Sequence, residues 1–136
     1  MRTLLVGINA KYIHTNLAIR NLAAYIKDKI ISFYEATIND SIDDVLEDIM
    51  AYDADVIGFS CYLWNIEKVL YIAENIKKIK PETIIVLGGP EVSYEVEGLL
   101  ERNPSVDYVI LNEGEERFSE LLKALDGQLS LESIDG

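Results

Sequence analysis

Apolar positions along the chain switch between two periods, and each switch marks a new element. Leu4 to Ile8 is a short unbroken apolar run, the pattern of a strand covered on both faces. Ala18, Leu22 and Ile26 then recur every fourth residue, one stripe of a helix. From Ile30 to Thr37, Ile31 and Phe33 alternate with Ser32 and Tyr34, which predicts a second, less buried strand. Ser41 followed by Asp44 has the spacing of a capping box, with Asp in place of the usual Glu, ahead of a helical face of Ile42, Val45, Leu46 and Ile49. Asp55 to Phe59 predicts the third strand. Asn65 stands where an N-cap belongs, before the stripe Ile66, Val69, Leu70, Ala73 and Ile76, and Pro81 stops that helix. Thr83 to Leu87, almost entirely β-branched, predicts the fourth strand and runs into Gly88-Gly89-Pro90. A helix carrying Val92, Val96, Leu99 and Leu100 ends before Asn103-Pro104, and Val106 to Leu111 predicts the fifth strand. Phe118, Leu121, Leu122 and Leu125 mark a last helix, with Gly127 at the position of its C-terminal cap.

Strands alternating with helices at this spacing demand a parallel sheet covered by helices on both faces. The expected fold is α/β: a flavodoxin-like (Rossmann-like) three-layer sandwich around a five-stranded parallel sheet of order 2-1-3-4-5. The first, third and fourth strands are the most apolar and belong in its centre. One domain is expected over residues 1–127. Residues 128–136 carry no further stripe and read as the start of a linker.

Composition narrows the function. A chain of 136 residues, 49% hydrophobic, has a core to bury and is not disordered. No apolar run approaches the roughly 18 residues that cross a bilayer, so no membrane span is expected. The start, Met1-Arg2-Thr3-Leu4, opens no signal peptide, and the chain reads as cytoplasmic. A net charge of −12 repels phosphate backbones, so no nucleic-acid partner is expected. The one basic cluster, Lys77-Lys78-Ile79-Lys80, falls at a helix end, where cations complement the dipole. Cys61 and His14 are each the only residue of their kind, so the chain forms no internal disulfide and cannot by itself ligate zinc or an iron–sulfur cluster.

In a sheet of this order, ligands bind beyond the carboxyl ends of the strands, at the gap between the first and third. Four loops meet there: Asn9 to Asn16, Ser60 to Asn65, Gly88 to Ser93 and Asn112 to Glu116. They hold apolar Tyr12, Ile13, Leu63 and Trp64, which need a partner at a strand end, and Gly88-Gly89, which lets a backbone approach closely. Singly, each feature has a plainer reading. Gly88-Gly89-Pro90 is a turn, Trp64 packs on a helix, His14 is a cap or solvated, Cys61 is a small core filler and Lys11 is a surface cation. Their gathering on one sheet edge is what points to a site. Phosphate cradles do not fit it. A phosphoacceptor domain requires acids where this chain has Asn9 and Ser60. The first loop has no Gly and one Thr, against an FMN loop, and Gly7 alone does not make G-x-G-x-x-G.

The segments Ile8 to Ala18, Ile57 to Asn65 and Leu87 to Ser93 resemble the N-terminal cobalamin-binding domain of radical SAM proteins. That group includes anaerobic magnesium-protoporphyrin IX monomethyl ester oxidative cyclases and methyltransferases. Asn112-Glu113-Gly114-Glu115-Glu116 resembles the family's G-E-G-E stretch, with Asn112 for its first Gly, and the likeness spans residues 3–126. The resemblance implies cobalamin as ligand. The nucleotide tail would enter a slot lined by Ser60, Cys61, Tyr62, Gly88, Gly89 and Pro90. The corrin would lie over the strand ends against Tyr12, Leu63 and Trp64, with Lys11 or Glu91 near its amides. Asn9, Ala10, Asn112, Glu113 and Gly114 complete the cofactor-binding set, and no residue is assigned a catalytic role. The cobalt-ligating D-x-H-x-x-G motif of mutases is not met, since Tyr12 stands two before His14 and Leu17 three after. Cobalt is therefore expected without a protein histidine, His14 being the single candidate. The [4Fe-4S] cluster and S-adenosylmethionine would belong to a C-terminal radical SAM domain of the same polypeptide, the expected partner. The expectation is thus a cobalamin-binding module of a larger methyl-transfer or oxidative-cyclisation enzyme, not catalytic alone. The alternative is a flavodoxin-like protein-interaction domain that has lost its ligand.

Overall fold

The computed structural model describes residues 2–9, 30–62, 65–89 and 96–110, together with 118, 120–122 and 125. Strands β1 (Arg2–Asn9), β2 (Ile30–Thr37), β3 (Val56–Ser60), β4 (Ile84–Gly88) and β5 (Tyr108–Val109) form one sheet in the order β2-β1-β3-β4-β5, parallel throughout. Between them run α1 (Ile42–Ala51), α2 (Ile66–Ile79) and α3 (Val96–Arg102), and residues 118, 120–122 and 125 are helical. The expected helix through Ala18, Leu22 and Ile26, and the cap at Gly127, lie outside the described residues.

Side-chain alternation divides the core between the two faces of the sheet. Leu4, Val6 and Ile8 of β1, Ile57 and Phe59 of β3, and Ile85 and Leu87 of β4 share one cluster with Val45 and Ile49 of α1 and Val69, Ile72, Ala73 and Ile76 of α2. Leu5, Val56 and Val86 turn to the other face and meet Phe118, Leu121 and Leu122. A Cβ on Gly58 would lie 3.1 Å from Leu5 Cδ2 and 3.4 Å from Phe118 Cζ. The missing side chain there lets the Phe118 ring approach the sheet. The edge strand β2 is less buried, as its alternation predicts, and Phe33 is 41% exposed. Tyr34 packs on the first face, donates to Asp48 Oδ2 at 2.8 Å and meets the Tyr52 ring edge-on. Burial, and then the Asp48 carboxylate, push its phenol above the ordinary tyrosine range.

Two local expectations are corrected and a third is extended. Ser41 occupies the N-cap of α1 with extended backbone but makes no side-chain cap bond. Asp44 is one methylene shorter than the Glu of a capping box, and Asp43 and Asp44 act by charge at the positive end of the helix. Strand β5 is two residues long rather than six, although hydrogen bonding to β4 extends from Asp107 N–H, which donates to Ile85 O, to Ile110 N–H, which donates to Leu87 O. The lysines at the end of α2 do more than complement the dipole. Lys77 Nζ lies 2.6 Å from Asp107 Oδ2, the oxygen that also accepts the Ile85 N–H. Lys80 lies 3.0 Å from Asp53, whose carboxyl its hydrogen bond holds below the usual range.

Two substitutions test this packing. Thr83 is 1% exposed and its Oγ1 has no hydrogen-bond partner among the described residues. Thr83→Val is expected to stabilise the domain by about 1 kcal/mol, read as a Tm rise of roughly 3 °C, because it removes an unpaired buried hydroxyl at constant shape. Asp53, just past α1, has φ 49°, a left-handed conformation, and pairs with Lys80 only at the surface. Asp53→Gly is expected to move the urea-unfolding midpoint upward. Relief of backbone strain and of an anion at a helix C-terminus outweighs an exposed ion pair.

Candidate functional site

The carboxyl edge of the sheet forks. β1 follows β2 to its end, through Asn9↔Thr37 and then a bond from Ile38 N–H to Asn9 O at 2.8 Å. The β1–β3 ladder stops earlier, at Gly7↔Ser60. From there β3 turns toward β4, and Cys61 N–H donates to Gly88 O at 2.7 Å. Asn65 sits in the fork, 1% exposed. Its Nδ2 donates to Ile8 O and to Ser60 O, each at 3.0 Å, and its Oδ1 accepts the Tyr62 N–H at 2.8 Å. The predicted side-chain cap on α2 is therefore absent, because the amide is turned away from the helix onto two strand ends. On the far side, Lys68 Nζ donates to Ile38 O and ties α2 to the segment after β2.

Small residues line one row of this edge. Gly7, Ser60 and Gly88 are consecutive partners across β1, β3 and β4, on the same face as Leu5, Gly58 and Val86. Gly7 and Ser60 are buried and Gly88 is half-buried. A Cβ placed on Gly88 would meet no described residue within 4 Å, so among the described residues the row is open at that end. No described residue hydrogen-bonds the Ser60 hydroxyl. The next glycine behaves differently. Gly89 has φ +110°, and a Cβ there would fall 2.4 Å from Cys61 O. Gly89 thus serves a close backbone approach, and Gly88 leaves room.

Of the residues singled out from sequence, Asn9, Ser60, Cys61, Tyr62, Gly88 and Gly89 come together at this edge. Ala10, Lys11, Tyr12, His14, Leu63, Trp64, Pro90, Glu91, Asn112, Glu113 and Gly114 lie outside the described residues. The Cys61 side chain is fully buried in the first-face core, its Sγ 3.8 Å from Phe59 O, so its share in the edge is its main chain. Two residues escaped the reading of the sequence as parts of the site. Gly7 was visible only as a fragment of a dinucleotide motif. Its parity with Leu5 and its alignment with Ser60 are the signal that would have found it. Asn65 was visible only as a cap. Among the described residues, no group of three or more His, Cys, Asp or Glu side chains is set to hold a metal ion.

A family model described as B12 binding domain matches residues 3–122. The chain is 33% identical over 90 residues to the cobalamin-dependent radical SAM methyltransferase TokK of Streptomyces tokunonensis, which covers 66% of this chain and 12% of that protein. It is 30% identical over 112 residues to the anaerobic magnesium-protoporphyrin IX monomethyl ester cyclase of Rubrivivax gelatinosus, covering 77% of this chain and 20% of that one. Among solved structures, the cobalamin-dependent S-adenosylmethionine radical enzyme OxsB, with aqua-cobalamin and S-adenosylmethionine bound, superposes with a TM-score of 0.79 at 22% identity, over 99% of this chain and 20% of OxsB. A cobalamin-binding protein from Desulfitobacterium hafniense DCB-2 superposes with a TM-score of 0.63 at 10% identity, over 94% of this chain and 59% of its own. At these identities the two superpositions show the fold. The chain spans about an eighth of the length of TokK and a fifth of the cyclase.

The two adjacent glycines are expected to separate in a thermal melt. Gly89→Ala forces a Cβ onto the Cys61 backbone at positive φ and should lower stability by roughly 2–4 kcal/mol. The methyl of Gly88→Ala meets no described residue and should change it by less than about 1 kcal/mol.

Proposed function

The chain belongs to the B12-binding domain family, and from that premise we propose how its own residues hold the ligand and what the whole protein does with it. It is a cobalamin-binding domain of the kind found in cobalamin-dependent radical SAM enzymes. The row Gly7, Ser60 and Gly88 carries the proposal. Two glycines flanking a serine, with no described residue in the way of a Cβ at Gly88, suit the flat base of the nucleotide tail, and the Ser60 hydroxyl offers that tail a hydrogen bond. The main chain of Cys61 and Tyr62 forms the wall beside it. Gly89 and Pro90 would complete the slot, and the corrin would be held by Tyr12, Leu63 and Trp64, with Lys11 or Glu91 toward its amides and Asn9, Ala10 and Asn112 to Gly114 completing the set. Bound cobalamin supplies a cobalt centre able to carry a one-carbon group. The protein's part is to bind and orient that group and to keep one of its faces turned outward.

In the longer protein, residues 1–127 form this module and residues 128–136 begin a linker. A C-terminal radical SAM domain supplies the [4Fe-4S] cluster and S-adenosylmethionine. The reaction class is methyl transfer or oxidative cyclisation, the activities named in the relatives. The protein works in the cytoplasm, in keeping with the finding that no helix among the described residues is long and apolar enough to cross a membrane.

Titration of the chain with hydroxocobalamin, followed by visible absorbance and by co-elution in gel filtration, is expected to show stoichiometric binding. Gly88→Ala should weaken it about tenfold or more while the melt stays close to the wild type, since the added methyl occupies the slot rather than the core. Absence of both spectral change and co-elution at tens of micromolar would overturn the proposal.

A further inference from the structure

We propose that Asn65 is the positioning residue of the tail slot: its side-chain amide spans the fork between β1 and β3 and fixes the Ser60–Tyr62 backbone in the conformation that grips the nucleotide tail. The inference rests on the cobalamin reading above and assigns a role to a residue outside the expected ligand contacts.

Beyond Gly7↔Ser60 the two central strands separate, β1 with β2 and β3 with β4. The Asn65 amide stands at that parting. Both Nδ2 hydrogens are used, one toward each strand, and Oδ1 takes the Tyr62 N–H. One side chain thereby fixes the carbonyl of Ser60, the amide of Tyr62 and, through Ile8, the position of both relative to β1. At 1% exposure it makes these bonds away from water, where their geometry is stiff. Ser60 is the polar member of the small-residue row, so its main chain cannot shift without moving the slot. No other uncharged side chain carries this geometry. An aspartate keeps the acceptor but sets a negative oxygen against two carbonyl oxygens, and alanine removes all three bonds.

The slot and the corrin shelf can be probed separately. Hydroxocobalamin carries the nucleotide tail, and diaquacobinamide has the same corrin without it. The wild-type chain is expected to prefer hydroxocobalamin. Asn65→Ala and Asn65→Asp are expected to lower that affinity about tenfold or more while diaquacobinamide binding stays within about twofold, so the preference collapses. In the same variants the Tyr62 amide should exchange faster with solvent, while the Cys61 amide, bonded to Gly88 O, keeps its protection. One reading needs no variant: in the labelled wild-type chain, the Asn65 Nδ2 protons should shift with hydroxocobalamin and stay in place with diaquacobinamide. Variants that lose both corrinoids alike, or wild-type Nδ2 signals unmoved by bound hydroxocobalamin, overturn the role of Asn65 and leave the slot standing. A wild-type chain that holds the two corrinoids equally overturns the slot itself, and this assignment with it.

Discussion

A parallel strand packed on both faces presents chemistry only at its ends. In this domain the two clusters on either side of β1, β3 and β4 leave no room for polar work along the strands. The carboxyl edge is where the hydrogen-bond ladders part company, and parting leaves main-chain groups to satisfy. A buried polar group without a partner costs about 1–3 kcal/mol. Asn65 meets that demand with a single side chain that touches both sides of the split. Ser60, the polar member of the small-residue row, and Tyr62, two residues on, are both bonded to it.

The architecture was legible because periodicity is a local property. The stripe of α2 and the span Ile30–Thr37 of β2 follow from residues a few positions apart, and the strand order follows from chirality and apolarity. Features that depend on distant partners were not legible. Ser41 and Asn65 both stand where caps belong, yet neither side chain caps its helix, and the Ile8 carbonyl that Asn65 serves is 57 residues away. Strand β5 carries enough apolar residues for a longer strand, but as an edge strand its ladder with β4 is two residues long.

The candidate site was legible in outline, as a set of loops, but not in how its parts divide the work. Gly88-Gly89 reads as one motif, whereas the backbone divides it into a position that needs φ +110° and a position that needs space. Gly7 gains meaning only through register. The carriers of the site within the described residues are glycines, main-chain groups, the Ser60 hydroxyl and one uncharged amide. That fits a bulky cofactor ringed by neutral amides better than a phosphate-dominated ligand, and it agrees with a surface whose net charge is −12. The basic cluster of α2 does not alter that balance, because Lys77, Lys78 and Lys80 each face a carboxylate.

The burial of Cys61 has a practical side. The chain holds one cysteine, and its sulfur is sealed in the core with a carbonyl for company. Thiol reagents will pass the folded domain by. A cysteine introduced anywhere on the rim would be the sole accessible sulfhydryl, free to carry a fluorophore or a spin label without background from the native thiol.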